Sequence, residues 1–222
     1  MAHFSDTDRQ TIAQALATLP SPVTLRFFAQ SIGCDTCDAM RQLLKALVAS
    51  SDKVKLEELN VVLDRERALP YGFDRAPALA LSTDRETGIR FIGAPLGYEV
   101  SSLIEAIRIA SSGDSGLSEA SRALIATVSQ PTHIQVFVTP TCPHCPRVVS
   151  LAHRMALENP QITAACIDAT EFPDLVRRYQ VTGVPKTVAV IGQNESASVE
   201  ILGAVPEDEF VGQIVGAATG AS

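Results

Sequence analysis

The sequence predicts an α/β fold built as two tandem units, each a central mixed β-sheet sandwiched by helices. Three observations lead there. A Cys-x-x-Cys pair occurs twice, as Cys34-Asp-Thr-Cys37 and Cys142-Pro-His-Cys145, and the two copies stand 108 residues apart. A later proline, Pro77 in Arg-Ala-Pro-Ala-Leu-Ala-Leu, returns as Pro185 in Gly-Val-Pro-Lys-Thr-Val-Ala-Val with the same offset of 108. Each half then reaches a glycine turn, Gly93-Ala-Pro95 or Gly203-Ala-Val-Pro206. Independent landmarks sharing one offset mark a tandem duplication. The joint falls in Ser111-Ser-Gly-Asp-Ser-Gly116, which has the composition of a flexible linker. The expected division is residues 1-114 and 115-222.

The elements follow in order. A helix is expected from about Asp6 to Leu19, where Ser5 and Asp8 fit a capping box. Val23 to Ala29 is a near-continuous apolar run and reads as a strand. After the first cysteine pair, Met40, Leu43, Leu44, Leu47 and Val48 recur at helical spacing. Val54–Leu59 reads as a second strand and Asp64–Leu69 as a short helix. Beyond Pro77 come strands Ala78–Leu81 and Ile89–Ile92, then a closing helix Val100–Ala110. The second half repeats the order: helix Glu119–Val128, strand His133–Val138, and a cysteine helix running to Leu157. Strand Ile162–Ile167, helix Phe172–Tyr179, strands Thr187–Ile191 and Val199–Leu202, and helix Glu207–Ala217 complete it. A β-α-β unit followed by β-β-α buries its apolar faces as one sheet covered by helices.

Composition narrows the function. The chain of 222 residues is 46% hydrophobic and 19% charged, as in ordinary globular domains. Its net charge of −7 disfavours nucleic acid or an anionic membrane as partner. No apolar run approaches the roughly 18 residues of a membrane-spanning helix. The polar start Met-Ala-His-Phe-Ser-Asp-Thr-Asp lacks a secretory signal's basic and apolar segments, which gives a cytoplasmic expectation. Five cysteines are too few for a disulfide scaffold, and their number is odd. Cys166, inside Ile162-Thr-Ala-Ala-Cys-Ile-Asp168, reads as a small buried hydrophobe.

The paired cysteines suit redox chemistry better than a metal. A first cysteine placed where a strand turns into a helix, with Cys142 starting that helix, meets unpaired N–H groups that favour a thiolate. The second cysteine, one turn on, is placed to attack a mixed disulfide. A structural metal needs four ligands, whereas each pair supplies two and the pairs lie in different halves. His144 between its cysteines and His153 two turns beyond do not complete a tetrahedral set, so no metal is expected. His133 and His153 read as packing or surface residues. The chain has no Gly-x-Gly-x-x-Gly stretch, so neither a flavin nor a nicotinamide domain is indicated, and no bound cofactor is expected.

The order of strand, Cys-x-x-Cys helix and later X-Pro before a strand resembles the thioredoxin fold. The doubled form with both pairs resembles the protein disulfide oxidoreductases of archaea and bacteria, also described as glutaredoxin-like proteins. Phe137-Val-Thr-Pro-Thr-Cys-Pro-His-Cys-Pro146, Ala152-His153, Glu158-Asn159, Glu171-Phe-Pro173, Val184-Pro185-Lys186 and Gly203-Ala204 carry the likeness in the second half. Asp74-Arg-Ala-Pro77 and Phe91-Ile-Gly-Ala-Pro95-Leu-Gly97 carry it in the first. The resemblance implies Cys142 and Cys34 as attacking thiols and Cys145 and Cys37 as resolving thiols. It implies cis-prolines at Pro77 and Pro185, with Ala76 and Val184 offering backbone groups to an extended substrate segment. His144 beside Cys142 would favour that thiolate, and Asp35 beside Cys34 would oppose it, making the second pair the more oxidising and the one that handles substrate proteins.

The implied function is thiol–disulfide exchange on protein disulfides, in either direction, with electrons from an external flavoprotein resembling thioredoxin reductase. A homo-oligomer is compatible with this. The chain also resembles the tandem N-terminal domain of the alkyl hydroperoxide reductase flavoprotein, which passes electrons to a peroxiredoxin. That domain's first half generally lacks a working pair, whereas Cys34 and Cys37 are both present here.

Overall fold

A computed structural model of the protein describes residues 6–192 and 198–220, apart from the side chains of residues 6–9. Ser5 and the side chain of Asp8, the expected capping box, lie outside that description. The first half runs α1 (Asp6–Leu16), β1 (Val23–Ala29), α2 (Cys37–Ser50), β2 (Val54–Asn60), α3 (Arg65–Ala68) with a 3-10 turn at Leu69–Tyr71, β3 (Ala78–Ser82), β4 (Glu86–Ile92) and α4 (Glu99–Ser112). The second runs α5 (Glu119–Ile125), β5 (Thr132–Val138), α6 (Cys145–Glu158), β6 (Ile162–Asp168), α7 (Pro173–Arg178), β7 (Lys186–Ile191), β8 (Ser198–Leu202) and α8 (Glu207–Thr219).

Apolar periodicity explains the elements. Leu25, Phe27 and Phe28 of β1 are fully buried because helices cover both faces of the sheet. Met40, Leu43, Leu44 and Leu47 form the buried stripe of α2, and Val148, Val149, Ala152, Met155 and Ala156 that of α6. Each large side chain so buried contributes roughly 1.5–3 kcal/mol. Two helices stop short of expectation. α1 ends at Leu16, ahead of Pro20, whose ring disfavours helical geometry in the residue before it. α5 ends at Ile125 because the Asn159 amide donates to the carbonyls of Ile125 and Val128 at 2.8 and 2.9 Å, satisfying them where the helix leaves off.

The strands of both halves form one eight-stranded sheet in the order β2-β1-β3-β4-β6-β5-β7-β8. Within each half the first two strands are parallel and the others antiparallel. The halves meet where β4 pairs with β6 in parallel, from Ile89 opposite Ala164 to Ile92 opposite Ile167. The joint is head-to-tail: the fourth strand of one repeat meets the second strand of the next. Above it α4 packs on α6, and His153 of α6 meets the Phe91 ring edge-on, with centroids 4.9 Å apart. One hydrophobic core runs through both halves.

The linker expected to be flexible is fastened at several points. Ser115 is buried and donates to Glu158, Arg122 pairs with Asp114, and Arg154 donates to the Ser115 carbonyl at 2.5 Å and to Glu105 at 2.6 Å. Near the start of α4, the Tyr98 N–H donates to the Pro140 carbonyl at 3.0 Å. Gly97 beside it has φ +59°, and a Cβ there would stand 2.1 Å from that carbonyl oxygen. Gly113 has φ +69° but open space around it. Gly113→Ala should therefore cost about 1 kcal/mol, the penalty of left-handed backbone alone. Gly97→Ala should cost about 3 kcal/mol, because a backbone carbonyl must also move. Denaturant midpoints of the two variants check the difference.

Candidate redox sites

Each cysteine pair lies in the loop that leaves the C-terminal end of a core strand, β1 or β5, and enters the helix beneath it. Both pairs are closed as disulfides, with Cα atoms 5.4 Å apart for Cys34–Cys37 and 5.6 Å for Cys142–Cys145. The helices begin at the second cysteine and not at the first, which corrects the expectation that Cys142 starts α6. The chain needs a turn to leave the strand: the Cys142 N–H bonds to the Thr139 carbonyl at 3.1 Å, and the Cys37 N–H to the Cys34 carbonyl at 3.4 Å. Thr36 and His144 are the cap residues. The first sulfur thus sits just ahead of the helix, where the positive end of its dipole still favours a thiolate. Pro146 occupies the first turn of α6, where its missing N–H costs nothing.

Burial ranks the two sulfurs of each pair. Cys37 and Cys145 are buried at 3% and 0% exposure, while Cys34 is half-buried and Cys142 keeps 8%. In each pair the first cysteine is therefore the less buried of the two. The Ala76–Pro77 and Val184–Pro185 bonds are both cis. Register sets them beside the cysteine loops, since Ala78 pairs with Phe28 and Lys186 with Phe137. The carbonyls of Pro77 and Pro185 accept from Gly93 and Gly203 at 2.9 and 2.8 Å. Ala76 and Val184 themselves pack against the cysteine-bearing core.

The side chains of His144 and Asp35 are exposed. His133 is exposed and touches Thr163 at 2.8 Å, and His153 is buried with Nε2 3.3 Å from the Arg90 carbonyl. Burial pulls the His153 imidazole down to about 4, so it is a neutral packing residue. Among the described residues no group of three or more His, Cys, Asp or Glu side chains is placed to hold a metal ion, and no helix is long and apolar enough to cross a membrane.

Comparison with known proteins agrees with this geometry. The Thioredoxin domain family matches residues 132–216. The solved protein disulfide oxidoreductase of Aeropyrum pernix K1 superposes with a TM-score of 0.89 at 28% identity, over 99% of this chain and 96% of that one. The chain is a tandem thioredoxin-fold protein. The fold recurs in the alkylhydroperoxide reductase AhpF of Enterococcus faecalis V583, with TM-score 0.85 and 27% identity over 95% of this chain and 99% of that chain. Among curated proteins, the corresponding alkyl hydroperoxide reductase component of Staphylococcus epidermidis is 29% identical over 166 residues, covering 74% of this chain and 30% of that protein. A Bacillus subtilis NADH dehydrogenase is 27% identical over 161 residues, covering 72% of this chain and 29% of that protein. This tandem thioredoxin-fold chain therefore spans less than a third of these curated relatives.

Sequence reasoning missed the acidic contacts gathered at the joint between the repeats. Glu99, 2% exposed, accepts from Ser102 at 2.5 Å and from the Cys166 sulfur at 3.6 Å through Oε2, while its Oε1 has no partner among the described residues. Burial pushes its carboxyl up to about 7, against the opposing Ser102 and Cys166 hydrogen bonds. Cys166 is the buried small residue expected, and its thiol is pushed up by burial and by Glu99. Glu207, the residue 108 positions after Glu99, lies on the outer flank of the tandem protein. Partial burial works against its charge, yet the Ser118 N–H at 2.9 Å and the Ser121 hydroxyl at 2.7 Å leave it below the usual range. The repeat offset flags both positions, but only the joint tells them apart.

Glu99 should make stability fall with rising pH. Its folded value of about 7 exceeds the ordinary 4.5, so between them the folded state holds the extra proton. Its contribution is complete below about pH 4.5 and is lost as pH rises through 7. Glu99→Gln should match the wild type near pH 4 and exceed it by up to roughly 3 kcal/mol at pH 9, measured by urea unfolding across pH.

Proposed function

We propose that the protein is a thiol–disulfide oxidoreductase acting on protein disulfides through both pairs. The observation that supports this most directly is that each repeat keeps a complete pair whose first cysteine is less buried than its second. In the reducing direction, the thiolate of Cys142 or Cys34 attacks one sulfur of a substrate disulfide, and the other substrate sulfur leaves as a thiolate. Cys145 or Cys37 then attacks the mixed disulfide, releases the second substrate thiol and closes the internal pair. Two electrons and two protons pass to the substrate, and an external dithiol or flavoprotein reductant resembling thioredoxin reductase restores the thiols. Oxidation runs the same steps backwards.

Ala76 and Val184 make no backbone hydrogen bond to a described residue, which leaves their main-chain groups for an extended substrate segment beside Pro77 and Pro185. The first repeat, residues 1-114, and the second, 115-222, would act as separate exchange units. With His144 near Cys142 and Asp35 near Cys34, the second unit is the more oxidising. Placing four of five cysteines in exchange pairs supports a cytoplasmic setting.

A second reading makes the chain an electron carrier for a peroxiredoxin. The specific support is the Enterococcus faecalis NTD_N/C domain of alkylhydroperoxide reductase, which superposes with TM-score 0.83 at 26% identity over 96% of this chain and all of that one.

Trapping separates the readings. With Cys145→Ser or Cys37→Ser, the first cysteine should hold its partner as an adduct released by dithiothreitol, identified by mass spectrometry. Diverse cysteine-containing proteins, together with insulin reduction faster than peroxiredoxin-coupled peroxide turnover, support the first reading. A peroxiredoxin alone supports the second. No adduct on either variant counts against both.

A further inference from the structure

We propose that Glu171 of the second repeat is a positioning residue for the first repeat's cysteine pair: it holds the Cys34-Asp-Thr-Cys37 turn through Thr36 and makes that pair the more reducing of the two. The proposal rests on the exchange chemistry above and adds, to Asp35 and His144, a group from the other repeat that acts on the balance between the sites.

The contact is direct. The Thr36 hydroxyl, between the two cysteines, donates to Oε2 of Glu171, and the Ala94 N–H donates to Oε1 at 2.7 Å. Both oxygens of one carboxylate in the β6–α7 loop are thereby tied to the first repeat. The same segment grips the first repeat's proline loop: Arg75 pairs with Asp174 at 2.9 Å and lies over the Phe172 ring at 5.4 Å. So the cysteine turn and the Pro77 loop of the first site are both fastened by residues of the second repeat.

Among the described residues the second site has no such brace. Thr36 corresponds to His144 and Glu171 to Leu63 at the 108-residue offset. His144 is exposed and Leu63 is 83% exposed. What the first repeat offers the second site is the neutral backbone contact of Tyr98 on Pro140. The difference follows from the head-to-tail joint, which covers the loop after β6 and leaves the equivalent loop after β2 in solvent.

Charge gives the contact its consequence. Thr36 caps α2, whose N-terminal end favours a thiolate at Cys34. A carboxylate held at that end takes up part of the favourable field and repels a second negative charge. Burial in the joint limits the water that screens this group; burial, with Asp168 nearby, also raises its carboxyl, while the bonds from Thr36 and Ala94 favour the charged form. A less favoured thiolate is a less favoured reduced form, hence a more reducing pair. The neutral amide of Glu171→Gln can accept from Ala94 and donate to Thr36 Oγ, keeping the turn while removing the charge.

The test uses the full chain with Cys142→Ser and Cys145→Ser, so that only Cys34 and Cys37 exchange, equilibrated against glutathione. Glu171→Gln should shift the equilibrium constant about tenfold toward the dithiol, about 30 mV, and lower the midpoint of the Cys34 alkylation pH profile. Glu171→Leu, carrying the residue found at position 63, is the second variant and should shift the same way. In the reciprocal chain with Cys34→Ser and Cys37→Ser, the Cys142/Cys145 constant should stay within twofold. An unchanged first-pair constant, or equal shifts at both pairs, overturns the proposal. Pairs that equilibrate with glutathione but never with a protein disulfide would instead sink the protein-disulfide reading and leave the Glu171 result standing.

Discussion

The parallel pairing of β4 with β6 is the contact on which the rest of the molecule depends. It fuses two four-stranded sheets into one and lays α4 against α6. Because the pairing is head-to-tail, it is not symmetric. One repeat offers its β4 edge and the β4–α4 loop, and the other offers its β6 edge and the β6–α7 loop. Equivalent sequence positions therefore end in different surroundings, one in the joint and one in solvent.

A heterologous joint can in principle repeat without end, adding a chain at each free edge. The free edges here are β2 and β8. β2 carries Lys55, Glu57 and Glu58, and its acids pair with Arg26 at 3.0 Å and Arg41 at 2.8 Å. Charges of this kind on an edge strand discourage further pairing. β6, the equivalent strand, has Thr163, Ala165 and Cys166 at those positions and is free to pair. The duplication thus carries its own stop at the β2 edge, written as a change of residue type at matching positions.

Much of the fold is legible in the sequence because it rests on local rules. The apolar run of β1, the 3.6-residue stripe of α2 and the repeated offset are patterns within short windows, and they place most elements within a few residues. The start of α6 escapes them because the turn closed by the Cys142 N–H is a matter of backbone geometry that no apolar pattern records. The linker misleads for a related reason: Ser, Gly and Asp suit a loose tether, yet Ser115, Asp114 and Arg154 tie this one down. The four pair cysteines and the two prolines are visible as motifs. Glu99 carries no motif and Glu171 stands only as one letter of a family likeness, because their importance comes from partners 67 and 135 residues away in sequence.

The two cysteine pairs share a scaffold, a helix dipole and a cis-proline neighbour, so none of these distinguishes them. What differs, beside the residues between the cysteines themselves, is the charge that the joint delivers. At Thr36 it brings a carboxylate, and at Pro140 it brings a backbone N–H. At Glu99 it removes water that Glu207 keeps, and one residue type acquires opposite proton affinities. Duplication alone would yield two equal sites. Joining the copies edge to edge sets them in different surroundings, because each copy brings a different loop to the contact.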